Sequence, residues 1–169
     1  MKTGCMVRHV AFPDYQTSLG KEIRKFLLGK ITLCPEVRQL LYVANRWERK
    51  TDMEGWLQHG LFVIADRYSP SGLVYGLANK LNLDWMLTLE EGLPPADLVI
   101  VIDISIETSY ARDKKKDLYE NDLLFLGVVR ASYLDLANKF GWVVINGEQS
   151  ENAVFQEIRK RVTSCFHLM

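Results

Sequence analysis

Short apolar runs alternate with longer amphipathic segments along this chain. Four runs are rich in Val and Ile and apolar at consecutive positions, which is typical of strands covered by helices on both faces. They occupy residues 7–12, 61–65, 98–103 and 142–146. Between them, apolar residues recur at helical spacing. The helices predicted in this way occupy residues 18–28, 36–49, 71–81, 84–89, 120–139 and 151–163.

This alternation predicts a single α/β domain over residues 1–169, with a mainly parallel sheet flanked by helices. In such sheets, ligands bind outside the carboxyl ends of the strands. The segment FPDY follows the first predicted strand, Asp66 and Arg67 follow the second, and Asp103 ends the third. We therefore expect these three places to contribute to one ligand site.

The composition argues against several classes of partner. The chain carries 21 Lys and Arg against 21 Asp and Glu, so its net charge of zero gives no general attraction to nucleic acid or acidic membranes. The apolar run at 98–102 is too short to span a bilayer. The cysteines, Cys5, Cys34 and Cys165, form no CxxC pair and no metal-ligand spacing. We expect a cytoplasmic protein that binds neither nucleic acid nor membranes.

The adjacent Asp66 and Arg67 have two interpretations. The planar guanidinium of Arg67 suits phosphate oxygens, and the Asp66 carboxylate can hold Mg²⁺ through water or accept a proton. Alternatively, the two form a structural ion pair at a strand end. The SPSG segment that follows favours the phosphate interpretation, because Ser69 and Ser71 add hydroxyl donors and Gly72 allows a ligand to approach the backbone.

Three other segments are also ambiguous. Tyr42 and Arg46 share a helix face, which suits stacking on a planar base and hydrogen bonding to its edge, or else a core aromatic beside a solvated arginine. The segment 12–21 forms either a pocket wall or a plain loop in which Thr17 or Ser18 caps a helix. The charge-dense segment 111–122 is either a lid over phosphates or a solvated helix face.

Taken in order, these segments resemble the thymidylate kinase family, particularly its eukaryotic type. FPDYQTSLGKEIRKFL is similar to that family's FPxRxTxxGxxI segment, LLYVANRWERK to its LLFxANRWE helix, and DRYSPSGLVYGLAN to its DRYxxSGxAF segment. LDWMLTLEEGLPPADLVIVIDI resembles its LDWCxxxxxGLPxPDLVxxL run. The resemblance extends from Val7 to Val162 and implies the nucleoside-monophosphate-kinase fold.

The resemblance implies a role for individual residues in binding dTMP. Tyr42 takes the position of the aromatic residue that stacks on thymine, and Arg46 that of the arginine that hydrogen-bonds the base. Asp66 and Arg67 match the pair that acts on the phosphates, with Asp66 the Mg²⁺ residue. The remaining substrate-binding positions implied are Phe12, Pro13, Ser71, Gly72, Tyr75 and Tyr119, the last lying near the deoxyribose. Over the donor ATP, the lid positions implied are Arg112, Lys114, Lys115 and Lys116.

Two departures from the family pattern affect the donor side. The sequence contains no G-x4-G-K-[ST] motif, since neither Gly20-Lys21 nor Gly29-Lys30 completes one. The chain starts where the family's second strand starts, so we expect the first strand, the phosphate loop and the first helix to be missing. Tyr15 also stands where the family has an arginine that reaches the acceptor phosphate. These departures predict a retained base pocket and a largely deleted donor site.

The sequence therefore predicts a dTMP-binding protein whose ancestral reaction is phosphoryl transfer from ATP to dTMP, giving dTDP, with Mg²⁺ as cofactor. We expect this activity to be weak. A nucleotide-binding pseudokinase or regulatory partner of a complete kinase is the alternative, and an incomplete gene product is a third possibility. The resemblance also implies a homodimer.

Two structural expectations follow from the missing strand and the retained base pocket. Without a first strand, 61–65 is expected to pair directly with 98–103 in one four-stranded sheet, because unpaired edges buried in a core would be costly. Arg46 is expected to be exposed in an empty pocket.

Overall fold

The structure is a computed structural model that describes residues 5–112, 119 and 122–167. The chain divides into two compact units, residues 1–95 and residues 96–169. Each unit contains a small parallel sheet flanked by helices, so the predicted α/β class is confirmed. The interpretation of residues 1–169 as one domain stays a prediction.

The first unit contains a two-stranded parallel sheet and five helices. Strand β1 (Val7–Ala11) pairs with strand β2 (Phe62–Asp66), which places Ala11 beside Asp66 at the carboxyl ends. The helices are α1 (Ser18–Leu27), α2 (Pro35–Trp47), α3 (Lys50–Gln58), α4 (Ser69–Ala78) and α5 (Leu83–Glu90). Helix α2 lies at the centre of the unit, because it contacts α1, α3, α4 and α5.

Apolar side chains from these helices form the core of the first unit. Its buried members include Ile23, Phe26, Val43, Met53, Leu73, Val74 and Met86. Thr17 caps α1, since its Oγ1 accepts a hydrogen bond from the Gly20 amide at 3.0 Å. Both α2 and α4 have a proline in the first turn, where its missing N–H costs nothing.

The second unit contains the other two strands and three helices. Strand β3 (Ile100–Asp103) pairs in parallel with β4 (Val143–Asn146). The helices are α6 (Ile106–Arg112), α7 (Leu123–Phe140) and α8 (Glu151–Cys165). Helix α7 packs on both strands and α8 packs on β4. The buried residues of this unit include Tyr119, Val129, Leu136, Ala137 and Ile145.

The predicted strands are present, but two expectations about them are wrong. Of the strand residues, Ile145 alone is fully buried, and Ile64 and Ile102 are 56% and 49% exposed. Over the described residues, β2 and β3 also belong to separate two-stranded sheets, so the predicted pairing of 61–65 with 98–103 does not occur. The predicted pairing assumed that unpaired N–H and C=O groups at the edges of β2 and β3 would be buried. Because several side chains of these strands are exposed, such backbone groups can form hydrogen bonds with water instead.

The six predicted helices are all found, with ends that differ by a few residues. Two short helices were not predicted. Helix α3 follows α2 almost directly, and its sequence KTDMEGWLQ buries a single side chain, that of Met53. Helix α6 has seven residues, too few to show a clear helical period. In the described residues, no helix is long and apolar enough to cross a membrane.

Candidate functional site

The most strongly organised polar group in the first unit is a buried ion pair between Arg46 and Glu90. The guanidinium Nε donates to Glu90 Oε2 at 3.1 Å, and Nη2 donates to Glu90 Oε1. The side chains are 3% and 10% exposed. The geometry is the two-bond fork of an arginine on a carboxylate, which fixes orientation as well as charge. The expectation that Arg46 is exposed is therefore wrong.

Three helices bring this pair together. Arg46 lies in the last turn of α2, Glu90 is the last residue of α5, and Ser69 is the first residue of α4. The Ser69 hydroxyl donates to Glu90 Oε2 at 2.6 Å. The backbone of Gly72 closes the other side, because a Cβ built there would lie only 2.8 Å from Arg46 Nη2. A glycine is thus needed for α4 to pack this closely on the guanidinium.

Tyr68 connects this group to the end of the first strand. Its ring packs against Phe12, which is 5% exposed, with 5.5 Å between the ring centroids. The Tyr68 hydroxyl oxygen is buried and has no hydrogen-bond partner in the part of the chain that is described. Burial, and then the nearby charge of Glu90, raises the pKa of Tyr68 to about 12. Tyr68 therefore stays a neutral phenol at physiological pH.

Asp66 and Arg67 lie at the carboxyl end of β2, as the sequence predicted. Both are exposed, and Arg67 has a positive φ of 60°, an uncommon conformation for a non-glycine residue. Its guanidinium carbon lies 5.1 Å from the centre of the Tyr75 ring, within the range of a cation–π contact. The uncommon backbone conformation directs the Arg67 side chain toward Tyr75 of α4. The contact with Tyr75 accounts for the position of Arg67 without the structural ion pair to Asp66 that was the alternative interpretation.

A second polar network holds the loop after β1. The Asp14 carboxylate accepts from Arg49 Nε at 2.7 Å, and the Asp14 amide donates to Asn45 Oδ1 at 2.8 Å. Asn45 is fully buried, and its amide nitrogen also donates to Thr17 Oγ1 at 2.9 Å. Burial alone would raise the pKa of Asp14, but the hydrogen bonds from the Gln16 amide and Arg49 lower it below the usual value. The loop that carries Phe12 is thus fixed from α2.

Four other predicted site residues lie on α2 or α4 or directly after Phe12. Tyr42 lies one turn before Arg46 on α2 and is half-buried. Ser71 and Tyr75 lie on α4 and are also half-buried. Pro13 follows Phe12 through a cis peptide bond.

In the second unit, Asp103 ends β3 and forms a two-bond fork with Arg130 of α7. Arg130 Nε donates to Asp103 Oδ1 at 2.7 Å, and Nη2 donates to Oδ2 at 2.8 Å. The hydrogen bonds from Arg130 lower the pKa of Asp103. This pairing explains the position of Asp103 at the strand end without a ligand, so Asp103 is less available than the sequence suggested.

The remaining predicted residues also belong to the second unit. Tyr119 is 9% exposed and stacks on Phe125, with 5.0 Å between the ring centroids. Arg112 is the last residue of α6. The three lid lysines lie outside the described residues; they are Lys114, Lys115 and Lys116.

The described residues could hold Mg²⁺ only together with the phosphates of a bound nucleotide. No group of three His, Cys, Asp or Glu side chains that could hold a metal occurs among them. Mg²⁺ commonly uses one or two carboxylates, water and substrate phosphates instead. Asp66 offers an exposed carboxylate of this kind beside Arg67.

Sequence reasoning missed Glu90 and Asn45. It named Ser69 as a hydroxyl donor of the SPSG segment, but not as a donor to Glu90. Glu90 lies 44 residues from Arg46 in the sequence, and no local pattern distinguishes it from the adjacent Glu91. Asn45 was visible within the ANRWE segment, but its buried bonds to the loop after β1 depend on tertiary packing. No local signal in the sequence identifies Glu90, because its pairing with Arg46 depends on the packing of α5 against α2.

Comparison with known proteins identifies the family of this chain. The thymidylate kinase family profile matches residues 2–158. A thymidylate kinase of Arabidopsis thaliana is 34% identical over 158 residues, covering 91% of this chain and 60% of that protein. One of Plasmodium falciparum is 29% identical over 161 residues, covering 93% of this chain and 75% of that protein.

A solved structure shows the same fold. The thymidylate kinase of Candida albicans superimposes with a TM-score of 0.79 at 28% identity, covering 94% of this chain and 80% of that one. That structure is described as revealing the origin of broad substrate specificity and a novel structural element in the Candida protein. This chain spans 60% of the length of the Arabidopsis relative. The family profile covers more than nine-tenths of the sequence, and the chain belongs to the thymidylate kinase family.

Proposed function

We propose that this chain binds dTMP and takes part in phosphoryl transfer from ATP to dTMP, giving dTDP. The observation that carries the proposal is the buried guanidinium of Arg46, held by Glu90 and approached closely by Gly72. A cation buried this deeply and oriented by two hydrogen bonds is a prepared donor for a polar ligand edge. Family membership supports thymine as that ligand.

The base end of the proposed site lies on α2 and α4. Tyr42, one turn before Arg46, would stack on the pyrimidine, and Arg46 would donate to its edge. Phe12, Pro13, Ser71, Gly72 and Tyr75 would form the wall beside the base and sugar. Tyr119 would contact the deoxyribose, as the resemblance implies.

The phosphate end lies at Asp66 and Arg67. Arg67 would donate to the acceptor phosphate, and Asp66 would hold Mg²⁺ through water or accept a proton from the phosphate. When bound with ATP, Mg²⁺ neutralises phosphate charge. The exposure of both side chains at the strand end supports this role, because a phosphate can reach them without rearrangement of the core.

We further propose that transfer by these 169 residues is slow. They contain no G-x4-G-K-[ST] motif, and Tyr15 stands in place of the family's phosphate-contacting arginine. The lid positions Arg112, Lys114, Lys115 and Lys116 would supply charge, but side-chain cations do not replace a ring of backbone donors. The same two observations support the alternative, in which the chain binds nucleotide without turnover as a pseudokinase or a partner of a complete kinase.

Homodimer formation and a cytoplasmic location remain expectations from the resemblance and the composition. Size-exclusion chromatography with light scattering would measure the first, and fractionation of the source cells would measure the second.

The test is a calorimetric titration of the purified chain with dTMP, dUMP, dCMP and ATP separately. We expect dTMP to bind and ATP to bind weakly. Tyr42→Leu should weaken dTMP binding by about 1–3 kcal/mol, because a base–aromatic stack is lost. Val37→Ala, an exposed change on the same helix, should leave the affinity unchanged. Absence of dTMP binding by the wild-type chain would overturn the proposal.

A further inference from the structure

We propose that Glu90 is a positioning residue that sets base selectivity, because it holds Arg46 with its free hydrogen-bond donors directed at an acceptor atom on the pyrimidine. The inference rests on the proposed binding of dTMP at Arg46 and adds a role for Glu90 and Ser69. It assigns to this pair the preference for a pyrimidine that carries an oxygen, rather than an amino group, at ring position 4.

The first step of the argument is the division of donors on Arg46. A guanidinium has five N–H bonds and no acceptor. Glu90 takes the hydrogen on Nε and one on Nη2. Nη1 makes no hydrogen bond to any residue that the structure describes. The donors that remain for a ligand are therefore on the side of the fork away from Glu90.

The second step is that Arg46 cannot turn away from this orientation. Glu90 accepts hydrogen bonds along the Nε–Nη2 edge of the guanidinium. The backbone of Gly72 also lies close to it, because a Cβ built on Gly72 would be 3.2 Å from Nη1 and 2.8 Å from Nη2. The Ser69 hydroxyl in turn fixes Glu90 at 2.6 Å. Ser69 starts α4 and lies two residues beyond Arg67, so the residue that holds Glu90 and the proposed phosphate residue are close in the sequence.

The third step is chemical. Thymine and uracil carry a carbonyl oxygen at position 4, whereas cytosine carries an amino group that only donates. A fixed N–H donor can hydrogen-bond to the carbonyl oxygen but meets another donor at the amino group. A donor that could rotate would relieve the clash, so selectivity depends on the residue that prevents rotation. The Tyr68 hydroxyl, buried beside the pair without a partner in the described residues, adds no competing charge because its raised pKa keeps it neutral.

The experiment measures the ratio of dissociation constants for dCMP and dTMP by calorimetry in four proteins. These are the wild-type chain, Glu90→Gln, Ser69→Ala and the matched control Glu91→Gln. Gln at position 90 keeps the shape but replaces one acceptor oxygen by a donor amide, so Arg46 keeps at most one of its two hydrogen bonds and can change its orientation. Glu91 is the adjacent carboxyl and is exposed.

We expect the wild-type chain to prefer dTMP, Glu90→Gln to lower that preference by about tenfold, and Ser69→Ala to lower it by about threefold, the size of charge-assisted and ordinary hydrogen bonds. Glu91→Gln should match wild type. The dUMP-to-dTMP ratio should stay constant in all four, because it reports the 5-methyl group rather than position 4. General damage to the site would not separate these two ratios.

Each contrary result has a distinct meaning. If the wild-type chain binds no dTMP, the proposed function fails and the inference with it. If the wild-type chain binds dTMP and dCMP equally, or if Glu90→Gln and Ser69→Ala both keep the wild-type ratio, the inference fails and dTMP binding stands. If circular dichroism shows that Glu90→Gln is unfolded, the ratio of Ser69→Ala alone decides.

Discussion

At the scale of single residues, the Arg46–Glu90 pair is the contact whose disruption should cost most. Removing one partner of a buried ion pair leaves the other as an uncompensated buried charge. Both side chains are at most 10% exposed, so solvent screening cannot relieve that charge. Stability and the proposed base recognition would therefore depend on the same two side chains.

Arg46→Ala should lower the free energy of unfolding by about 3 kcal/mol, because it strands Glu90 in the core. Urea denaturation followed by circular dichroism measures the change. Arg161→Ala, an exposed arginine of α8, should change it by less than about 0.5 kcal/mol. An unchanged urea midpoint for Arg46→Ala would mean that Glu90 finds another partner or water.

The Asp103–Arg130 pair predicts a pH dependence in the second unit. Hydrogen bonds from Arg130 place the folded pKa of Asp103 below its ordinary value of 3.8. A carboxyl with a depressed folded pKa stabilises the fold fully above the unfolded pKa, and this contribution is lost as the pH falls through the folded pKa.

The wild-type chain should therefore exceed Asp103→Asn in stability by a constant amount between about pH 5 and 7, and the difference should shrink below about pH 4. Urea midpoints at a series of pH values measure it. Asp135→Asn, an exposed carboxyl on the same helix as Arg130, serves as the control. A difference that does not change with pH would contradict the assigned pairing.

At this scale the sequence located residues whose position depends on local spacing. Tyr42 and Arg46 share a helix, and Asp66 with Arg67 ends a strand, as expected. It could not show that Arg46 is buried, because the partner that permits burial lies 44 residues away. A lone charged residue without a visible partner is normally interpreted as solvated.

At the scale of secondary structure elements, the predicted helices are present because each has an apolar face and most have a recognisable start. Thr17, Asn82, Asp122 and Ser150 each accept a hydrogen bond from the first turn of a helix. The arrangement of strands was less predictable. Apolar runs are compatible with buried and with half-exposed strands, and strand pairing depends on contacts far apart in sequence.

Helix α1 provides a test in which helix propensity and packing oppose each other. Gly20 lies in its first turn, where an added Cβ would overlap the carbonyl oxygen of Asp14. Gly20→Ala should lower the unfolding free energy by about 1–3 kcal/mol despite the better helix propensity of alanine, because the loop after β1 must move. It should also weaken dTMP binding, since that loop carries Phe12.

Gly55→Ala is the matched control for this prediction. Gly55 lies inside α3, and a Cβ there would have nothing within 4 Å. The change should raise the unfolding free energy by about 0.5–1 kcal/mol through helix propensity alone. Equal effects of the two substitutions in urea denaturation would show that the loop contact at Gly20 does not constrain the fold.

At the scale of the whole molecule, the candidate groups are divided between the two units. The proposed base and phosphate residues belong to the first unit, apart from Tyr119, whereas the lid positions belong to the second. Phosphoryl transfer depends on positioning and charge stabilisation at both nucleotides. The groups proposed for the acceptor lie among the described residues, and the 169-residue sequence contains no G-x4-G-K-[ST] motif of the kind that cradles donor phosphates.

The expected outcome is measurable dTMP binding with turnover well below the range ordinary for kinases, about 1 to 100 per second. A coupled assay of ADP release, with protein shown to be free of host kinase, measures the rate. Asp66→Asn should abolish residual turnover and leave the urea midpoint unchanged, because Asp66 is exposed at a strand end. Asp97→Asn, an exposed carboxyl of the loop before β3, should alter neither. Turnover in the kinase range by the 169-residue chain would contradict the proposal, because it would require Arg67, Arg112 and neighbouring lysines to stabilise the developing charge that backbone donors usually stabilise.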